Sequence, residues 1–151
     1  MADEKRIVSI GADHAGFEQK QQLAEYLRLS GYEVIDRGPD SDARVDYPDF
    51  ALPVAKDVAE GRAWRGVLVC GTGIGMAMAA DKVPGIRAAN IITPEFAALC
   101  REHNDANVIT LSGRFVDFQT NCHILDTFFA TKFGEGRHTG RVAKIMAIDN
   151  E

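Results

Sequence analysis

The sequence predicts a doubly wound α/β fold in three layers, with a parallel sheet of about five strands between two layers of helices. Short apolar segments that end at glycine or aspartate alternate with segments of helical periodicity, which is the pattern of consecutive β-α-β units. The 151 residues, 46% of them hydrophobic, suffice for one continuous core without disulfides or metals. We therefore expect a single domain over residues 1–151.

Five apolar segments have the length and composition of buried strands. The strongest signal is GVLVC, which ends at Cys70 and is followed by a glycine-rich turn. In chain order the predicted strands are residues 7–12, 33–36, 66–70, 86–92 and 107–111. In such a sheet, ligands bind beyond the carboxyl ends of the strands, so the residues that follow each strand are the ones to examine.

Six segments predict helices between and after these strands. Phe17, Leu23, Ala24 and Leu27 would share one face of the first helix, which Gly31 can end in a left-handed conformation. A polar stretch over residues 38–48 predicts a long loop of the kind that often carries site residues. The other helices are predicted over residues 51–60 and 76–82, and from near Pro94, Asp117 and Gly140.

Composition excludes several classes of protein. With 17 basic and 22 acidic residues the net charge is −5, which argues against a nucleic-acid partner. Cys70, Cys100 and Cys122 form no Cys-x-x-Cys pair, so neither a zinc site nor a disulfide framework is indicated and a reducing cytoplasm is expected. The charged start of the chain runs directly into the first strand, without an apolar stretch for a signal peptide or membrane span.

The loop from Gly71 to Gly75 has the pattern Gly-x-Gly-x-Gly at a strand-to-helix turn, where backbone N–H groups can approach an anion. It is not a dinucleotide fingerprint, because Met76 stands where the third glycine would be. It also lacks the Gly-Lys-Ser/Thr of a Walker loop and the arginine of a cysteine-phosphatase loop. The alternative is that these glycines only let the helix pack on the sheet.

Polar residues after the other predicted strands could share an edge with this loop. Cys70 precedes a helix N-terminus, whose field favours a thiolate that could act as nucleophile or base. The alternative is an inert buried thiol, which we expect for Cys100 and Cys122. Asp13 and His14 follow the first strand and could contact phosphate or a sugar oxygen, or could simply form a structural turn.

Two further polar clusters lie later in the chain. Residues 103–107 (HNDAN) include a histidine and several amides, although capping of a helix C-terminus could explain the asparagines. Residues 136–141 (GRHTGR) place two arginines and a histidine at the start of a helix, where cations are disfavoured. An anion such as phosphate would neutralise them, although a solvated surface cluster is the alternative.

Five stretches together, in this order, resemble the type B ribose-5-phosphate isomerases. They are residues 11–17 (GADHAGF), 46–48 (DYP), 70–75 (CGTGIG), 101–105 (REHND) and 136–141 (GRHTGR). The resemblance covers nearly the whole chain and implies a Rossmann- or flavodoxin-like domain. It also implies interconversion of ribose 5-phosphate and ribulose 5-phosphate through a cis-enediolate, with no metal or other cofactor.

The resemblance assigns expected roles to individual residues. It implies that Cys70 is the base that moves a proton between C1 and C2. Some relatives use a glutamate near the position of Gly75, but this loop contains no carboxylate. His103 matches the residue that opens the sugar ring, and Asp13 and Tyr47 are candidates for handling ring and hydroxyl protons. The backbone of the loop, with the Thr72 side chain, would hold the enediolate oxygens; the loop residues are Gly71, Thr72, Gly73, Ile74 and Gly75.

The resemblance also implies a phosphate site and an oligomer. His14, Arg114, Arg137 and Arg141 match phosphate-binding positions, and Asn104 matches a ligand of a substrate oxygen. In the family the C-terminal arginines reach into the partner subunit's site, so a homodimer, sometimes paired into a tetramer, is expected. Two alternatives stay open: the same chemistry on a four- or six-carbon sugar phosphate, and a non-catalytic sugar-phosphate sensor on the same scaffold.

Overall fold

The computed structural model describes residues 6–151 and contains a five-stranded sheet in which every pairing is parallel. The strands are β1 Ile7–Ala12, β2 Glu33–Asp36, β3 Arg65–Cys70, β4 Ala88–Asn90 and β5 Val108–Ser112. Their order across the sheet is β2-β1-β3-β5-β4. The predicted doubly wound α/β fold and its five strands are confirmed.

Helices cover both faces of the sheet and form the two outer layers. They are α1 Phe17–Leu29, α2 Pro48–Ala59, α3 Ile74–Ala80, α4 Pro94–Asn104, α5 Phe118–Ala130 and α6 Arg137–Ala147, with a 3₁₀ turn at Ile148–Asn150. Side chains of α1, α4 and α5 share one core cluster with the sheet, and those of α2 and α3 form the other. Within residues 6–151, no helix combines the length and apolar character needed to cross a bilayer.

Four predicted elements differ from the structure by two or more residues at one or both ends. The last helix begins at Arg137 rather than near Gly140, because Gly136 takes a φ of 57° that redirects the chain into the helix earlier. Helix α2 begins at Pro48 instead of residue 51, since proline is well tolerated in the first turn. Helix α3 begins two residues before the predicted 76. The strand predicted over 86–92 is reduced to β4, because the N–H groups of Arg87 and Ala88 at its start donate to the side chains of Asn107 and Asp81.

Two buried ionic groups fix the loop that follows β2. The side chain of Lys20 is 1% exposed, and its Nζ donates to Asp36 Oδ1 at 2.9 Å and to the carbonyl of Pro39 at 2.9 Å. Asp57 is fully buried on α2, where it accepts hydrogen bonds from Ser9, Arg37 and Arg62. Burial would raise the pKa of Asp57, but these hydrogen bonds outweigh burial and hold the pKa at about 2.

Candidate active site

The carboxyl ends of β1, β3 and β5 meet at one edge of the sheet, where the strand order changes direction at β1 and β3. This edge, which we call the carboxyl rim, gathers most of the predicted site. Its residues are Asp13 and His14 after β1, Cys70 through Gly75 at the end of β3, Arg114 after β5, and Tyr47 from the loop before α2.

Cys70 is the buried cysteine that faces the glycine loop. Its side chain points to the α2–α3 layer, and the N–H of Gly73 donates to its Sγ at 3.1 Å. An amide proton directed at sulfur stabilises negative charge on that atom. By contrast, burial raises the pKa of both the Cys100 and the Cys122 thiols to about 11, as expected for inert core cysteines.

The carbonyl groups of the glycine loop are held from beneath by side chains of β4 and β5. Ser112 donates to the carbonyl of Gly71 at 2.7 Å, and Thr110 donates to that of Gly73 at 2.7 Å. In the amide orientation that satisfies its neighbours, Asn90 donates to the carbonyl of Thr72 and to Thr110 Oγ1, each at 3.2 Å. We define Asn90, Thr110 and Ser112 as the carbonyl supports. By fixing three consecutive carbonyls, they fix the peptide planes that carry the N–H groups of Thr72, Gly73 and Ile74.

Two glycines of the loop are required by their surroundings. Gly73 has a φ of 86°, a left-handed conformation that disfavours a side chain, and a Cβ there would collide with Asn90. A Cβ on Gly75 would lie 2.6 Å from the Tyr47 ring, so the phenol packs directly over the loop. A larger residue at position 75, including a glutamate, would require Tyr47 to move.

Asp13 and His14 form a turn whose polar groups are partly occupied. Asp13 is buried, and its Oδ1 accepts hydrogen bonds from the N–H groups of Ala15 at 2.9 Å and Gly16 at 3.0 Å. The structural-turn interpretation is therefore correct for that oxygen. His14 is half-buried, and its Nδ1 accepts from the N–H of Val45 at 3.3 Å, which assigns the proton of the neutral ring to Nε2.

Arg114 is exposed beside the start of the glycine loop. A Cβ on Gly71 would lie 3.2 Å from Nη1 of Arg114, so the guanidinium covers that residue. The segment that carries Arg114 is anchored by Gln19, which donates to the carbonyls of Gly113 and Val116, and Gln19 is in turn held by buried Asn121. The rim thus combines a thiol, a glycine loop and a cation.

The remaining predicted residues form a second cluster, the histidine–arginine cluster, made of His103, Asn104, Arg137, His138 and Arg141. The rings of His103 and His138 stack with centroids 4.4 Å apart and planes inclined by 19°. The pKa of His138 is lowered from its ordinary value by desolvation and then by the positive charges of its neighbours Arg137, His103 and Arg141. Within residues 6–151, no three His, Cys, Asp or Glu side chains are grouped closely enough to hold a metal ion.

These two groups of residues do not meet within one chain. Helix α4 carries His103 to its end at Asn104, shortly before β5 begins at Val108. Val108 pairs with Gly66, whereas Cys70 pairs with Ser112 at the other end of the same strands. Four residues of strand place these levels about 13 Å apart, so the histidine–arginine cluster lies toward the opposite edge of the sheet from Cys70.

Two features of this arrangement were missed by sequence reasoning. His138 was noted only as part of a basic run, and nothing in the sequence indicates that its ring stacks on His103. Asn90 and Thr110 were not singled out at all. The sequence signal for Thr110 was a threonine inside the apolar segment VITLS, which is buried in the structure. A buried hydroxyl without a partner is costly, so such a threonine indicates a specific hydrogen bond.

Comparison with known proteins agrees with this geometry. Residues 8–145 match the family model described as Ribose/Galactose Isomerase. Ribose-5-phosphate isomerase B of Escherichia coli (strain K12) is 42% identical over 142 residues, which cover 94% of this chain and 95% of that protein.

Solved structures give the same result. Ribose-5-phosphate isomerase B of Clostridium thermocellum superposes with a TM-score of 0.94 at 46% identity, covering 95% of this chain and 97% of that one. The Mycoplasma genitalium ribose-5-phosphate isomerase B, solved with bound ribulose-5-phosphate, has a TM-score of 0.92 at 42% identity, with coverages of 96% and 97%. On its sequence, its fold and the residues of its rim, the chain belongs to the ribose/galactose isomerase family.

Proposed function

We propose that this protein interconverts ribose 5-phosphate and ribulose 5-phosphate, with the chain acting as one isomerase domain. The observation that carries the proposal is the position of Cys70, a buried thiol at the carboxyl rim that receives the Gly73 N–H and faces the glycine loop. The name of the E. coli relative and the ribulose-5-phosphate bound by the M. genitalium relative support this substrate.

In this mechanism the Cys70 thiolate removes the proton from C2 of the open-chain aldose. The C–H electron pair forms the C1=C2 double bond, and the C1 carbonyl oxygen becomes an enediolate oxygen. Cys70 then returns the proton to C1, which gives the ketose once a proton has moved from O2 to O1. Asp13 and Tyr47 are the rim groups assigned to these oxygen-bound protons. Substrate and product contain the same atoms, so the reaction is balanced by proton transfers alone.

The glycine loop stabilises the enediolate in this proposal. Two of its amides have other partners, since Gly73 donates to Cys70 and Ile74 donates to Thr72 Oγ1 at 3.1 Å. Of the five backbone N–H groups of residues 71–75 expected to hold the enediolate oxygens, those of Gly71, Thr72 and Gly75 are therefore the ones proposed to do so. A preorganised donor of this kind typically contributes about 3 kcal/mol to transition-state stabilisation.

The complete site is assigned to a homodimer. Because the histidine–arginine cluster lies toward the opposite edge of the sheet from the rim of its own chain, His103 for ring opening and Arg137 and Arg141 for phosphate would come from the partner subunit. Asn104 would bind a substrate oxygen in the same way, while His14 and Arg114 bind phosphate from the rim. Exposed apolar side chains on α3 and α4 and between β4 and α4 favour such an interface; they are Ile74, Met78, Ile92 and Phe96. Pairing of dimers into a tetramer is compatible with the same arrangement.

The cytoplasm is the proposed location. All three cysteines are buried and unpaired in the structure, so the fold does not depend on a disulfide. Free thiols of this kind fit a reducing compartment.

The activity is tested by incubating the protein with ribulose 5-phosphate and following ribose 5-phosphate by NMR. Cys70→Ala should reduce kcat by about a hundredfold or more while retaining phosphate-ligand binding, because it removes the base and leaves the cations. Cys122→Ala is the matched control and should keep near-normal turnover. Conversion of only four- or six-carbon sugar phosphates would overturn the substrate, and an active Cys70→Ala would overturn the base.

The shared site is tested by complementation between two inactive variants. Cys70→Ala disables the rim, and Arg141→Gln disables the histidine–arginine cluster. If each site uses one group from each subunit, equal mixing and re-association gives half heterodimers with one intact site each, so about a quarter of normal activity returns. If both groups act within one chain, the mixture stays inactive.

A further inference from the structure

A second basic site lies at the opposite end of β3 from Cys70. A cavity of about 340 Å³ opens where β1 and β3 begin, beside the end of α5. Four cations line it, namely Arg6, Arg65, Arg101 and Lys132, and none of the eight lining residues within 6–151 is acidic. Such a concentration of positive charge is unexpected in a chain whose net charge is −5.

Arg65 lines this cavity without a carboxylate partner among residues 6–151, and its Nη1 donates only to the carbonyl of Trp64 at 3.1 Å. Its guanidinium lies 4.5 Å from the ring centroid of Trp64, and that of Arg6 lies 4.1 Å from the same ring. Burial, followed by repulsion from Arg101, lowers the pKa of Arg65 to about 10. Its buried Nε has no hydrogen-bond partner among residues 6–151. The protein therefore holds two arginines on one aromatic ring with no carboxylate bound to either among these residues.

The neighbouring carboxylate does not neutralise the cavity. Asp105 accepts from Arg101 at 2.7 Å and from Arg87 at 3.4 Å, so one negative charge already serves two arginines. Arg101 also donates through Nε to the carbonyl of Thr131 and through Nη1 to that of Ala106. Within the part of the chain that the structure describes, Arg6, Arg65 and Lys132 consequently remain as an excess of positive charge around the cavity.

We propose that this cavity binds a small phosphate-type oxyanion: inorganic phosphate, pyrophosphate or the phosphate of a monoester. Arginine forks match tetrahedral oxyanions, and several converging cations favour the multiple charge of phosphate over a single carboxylate. A nucleotide base has little room to stack, because Tyr32, Phe129 and both guanidinium groups already pack on Trp64. The site is separate from the carboxyl rim, since β3 runs about 16 Å from Arg65 to Cys70.

Trp64 is the only tryptophan in the chain, so its fluorescence reports on this cavity and not directly on the rim. The protein is titrated with pyrophosphate, and separately with inorganic phosphate, at constant ionic strength maintained with sodium chloride. A saturable change in Trp64 emission is expected. In the double variant Arg6→Gln/Lys132→Gln, which alters two exposed side chains, the affinity should fall by about tenfold or more.

Arg114→Gln is the matched control, because it removes a cation from the carboxyl rim and leaves the cavity intact. The Trp64 response should persist in this variant with its affinity unchanged. The proposal is overturned if pyrophosphate and phosphate give no saturable response, or if chloride alone gives the same one. It is also overturned if the response survives Arg6→Gln/Lys132→Gln and disappears in Arg114→Gln, since the anion would then bind at the rim. None of these outcomes depends on the isomerase activity.

Discussion

Replacing Thr110 by valine tests whether the carbonyl supports orient the glycine loop. The side chain of Thr110 is fully buried, donates to the carbonyl of Gly73 at 2.7 Å and accepts from Asn90 at 3.2 Å. Valine has nearly the same shape, so the change removes the hydroxyl without opening a cavity. The carbonyl of Gly73 is left without this donor in a buried position.

The magnitude follows from those contacts. The carbonyl of Gly73 keeps the N–H of Ala77 at 3.2 Å, so it loses one of two hydrogen bonds, a cost of about 1 kcal/mol, and Asn90 loses one acceptor as well. If the Gly73–Ile74 peptide rotates, the N–H of Ile74 turns away from Thr72 Oγ1. Asn90, which loses its contact with Thr110, then holds the Thr72 carbonyl less firmly, and the peptide of that carbonyl carries the N–H that Gly73 donates to Cys70. Misplacement of a catalytic group by about 1 Å can lower the rate by a hundredfold. We therefore expect kcat to fall by about 10- to 100-fold, with a smaller change in KM.

The assay combines steady-state kinetics on ribulose 5-phosphate with urea unfolding of the same samples. Thr110→Ser keeps the hydroxyl and should retain most of the kcat that Thr110→Val loses. If Thr110 only stabilised the fold, the loss of kcat in both Thr110 variants would parallel their loss of stability. Thr127→Val is a matched control, since that threonine lies on α5 away from the rim. Normal kcat in a destabilised Thr110→Val protein would refute the idea that the supports position the loop.

Three further predictions concern stability and thiol chemistry. Lys20→Met should destabilise the protein by about 2 kcal/mol in urea unfolding, because Asp36 loses its buried partner; a loss below about 0.5 kcal/mol would contradict this. The folded pKa of Asp57, about 2, lies below its unfolded value. Asp57 therefore adds about 2 kcal/mol to the free energy of unfolding above pH 4, and this contribution is lost as the pH falls toward 2. When the free energy of unfolding is measured against pH, Asp57→Asn should not show this acid loss. At pH 8, iodoacetamide should leave Cys100 and Cys122 unmodified in the native protein and label them in denaturant, because burial raises both pKa values to about 11. The labelling is followed by mass spectrometry. Rapid labelling of the native protein would show that these thiols are not inert.

Much of the fold follows from local features of the sequence. Apolar runs such as GVLVC predict strands, and glycines such as Gly31 predict helix ends, because both depend on the conformational preferences of adjacent residues. The alternation of strands and helices along the chain then predicts a parallel sheet. Boundaries were less predictable where tertiary contacts intervene. The strand predicted over 86–92 is shortened because Asn107 and Asp81 bind the backbone of Arg87 and Ala88 at its start.

The site divides in the same way. The sequence by itself determined that Cys70 ends one strand and that Asp13 and Arg114 follow two others. Parallel strands bring such ends to one edge, so the shared rim was predictable. Only the tertiary structure decided that His103 and Arg141 lie toward the other edge, that His138 stacks on His103, and that Thr110 supports Gly73. These relations depend on how α4 and α6 pack and on the β4–β5 register. Contacts between segments distant in sequence are set by packing of the whole core, which no local pattern encodes.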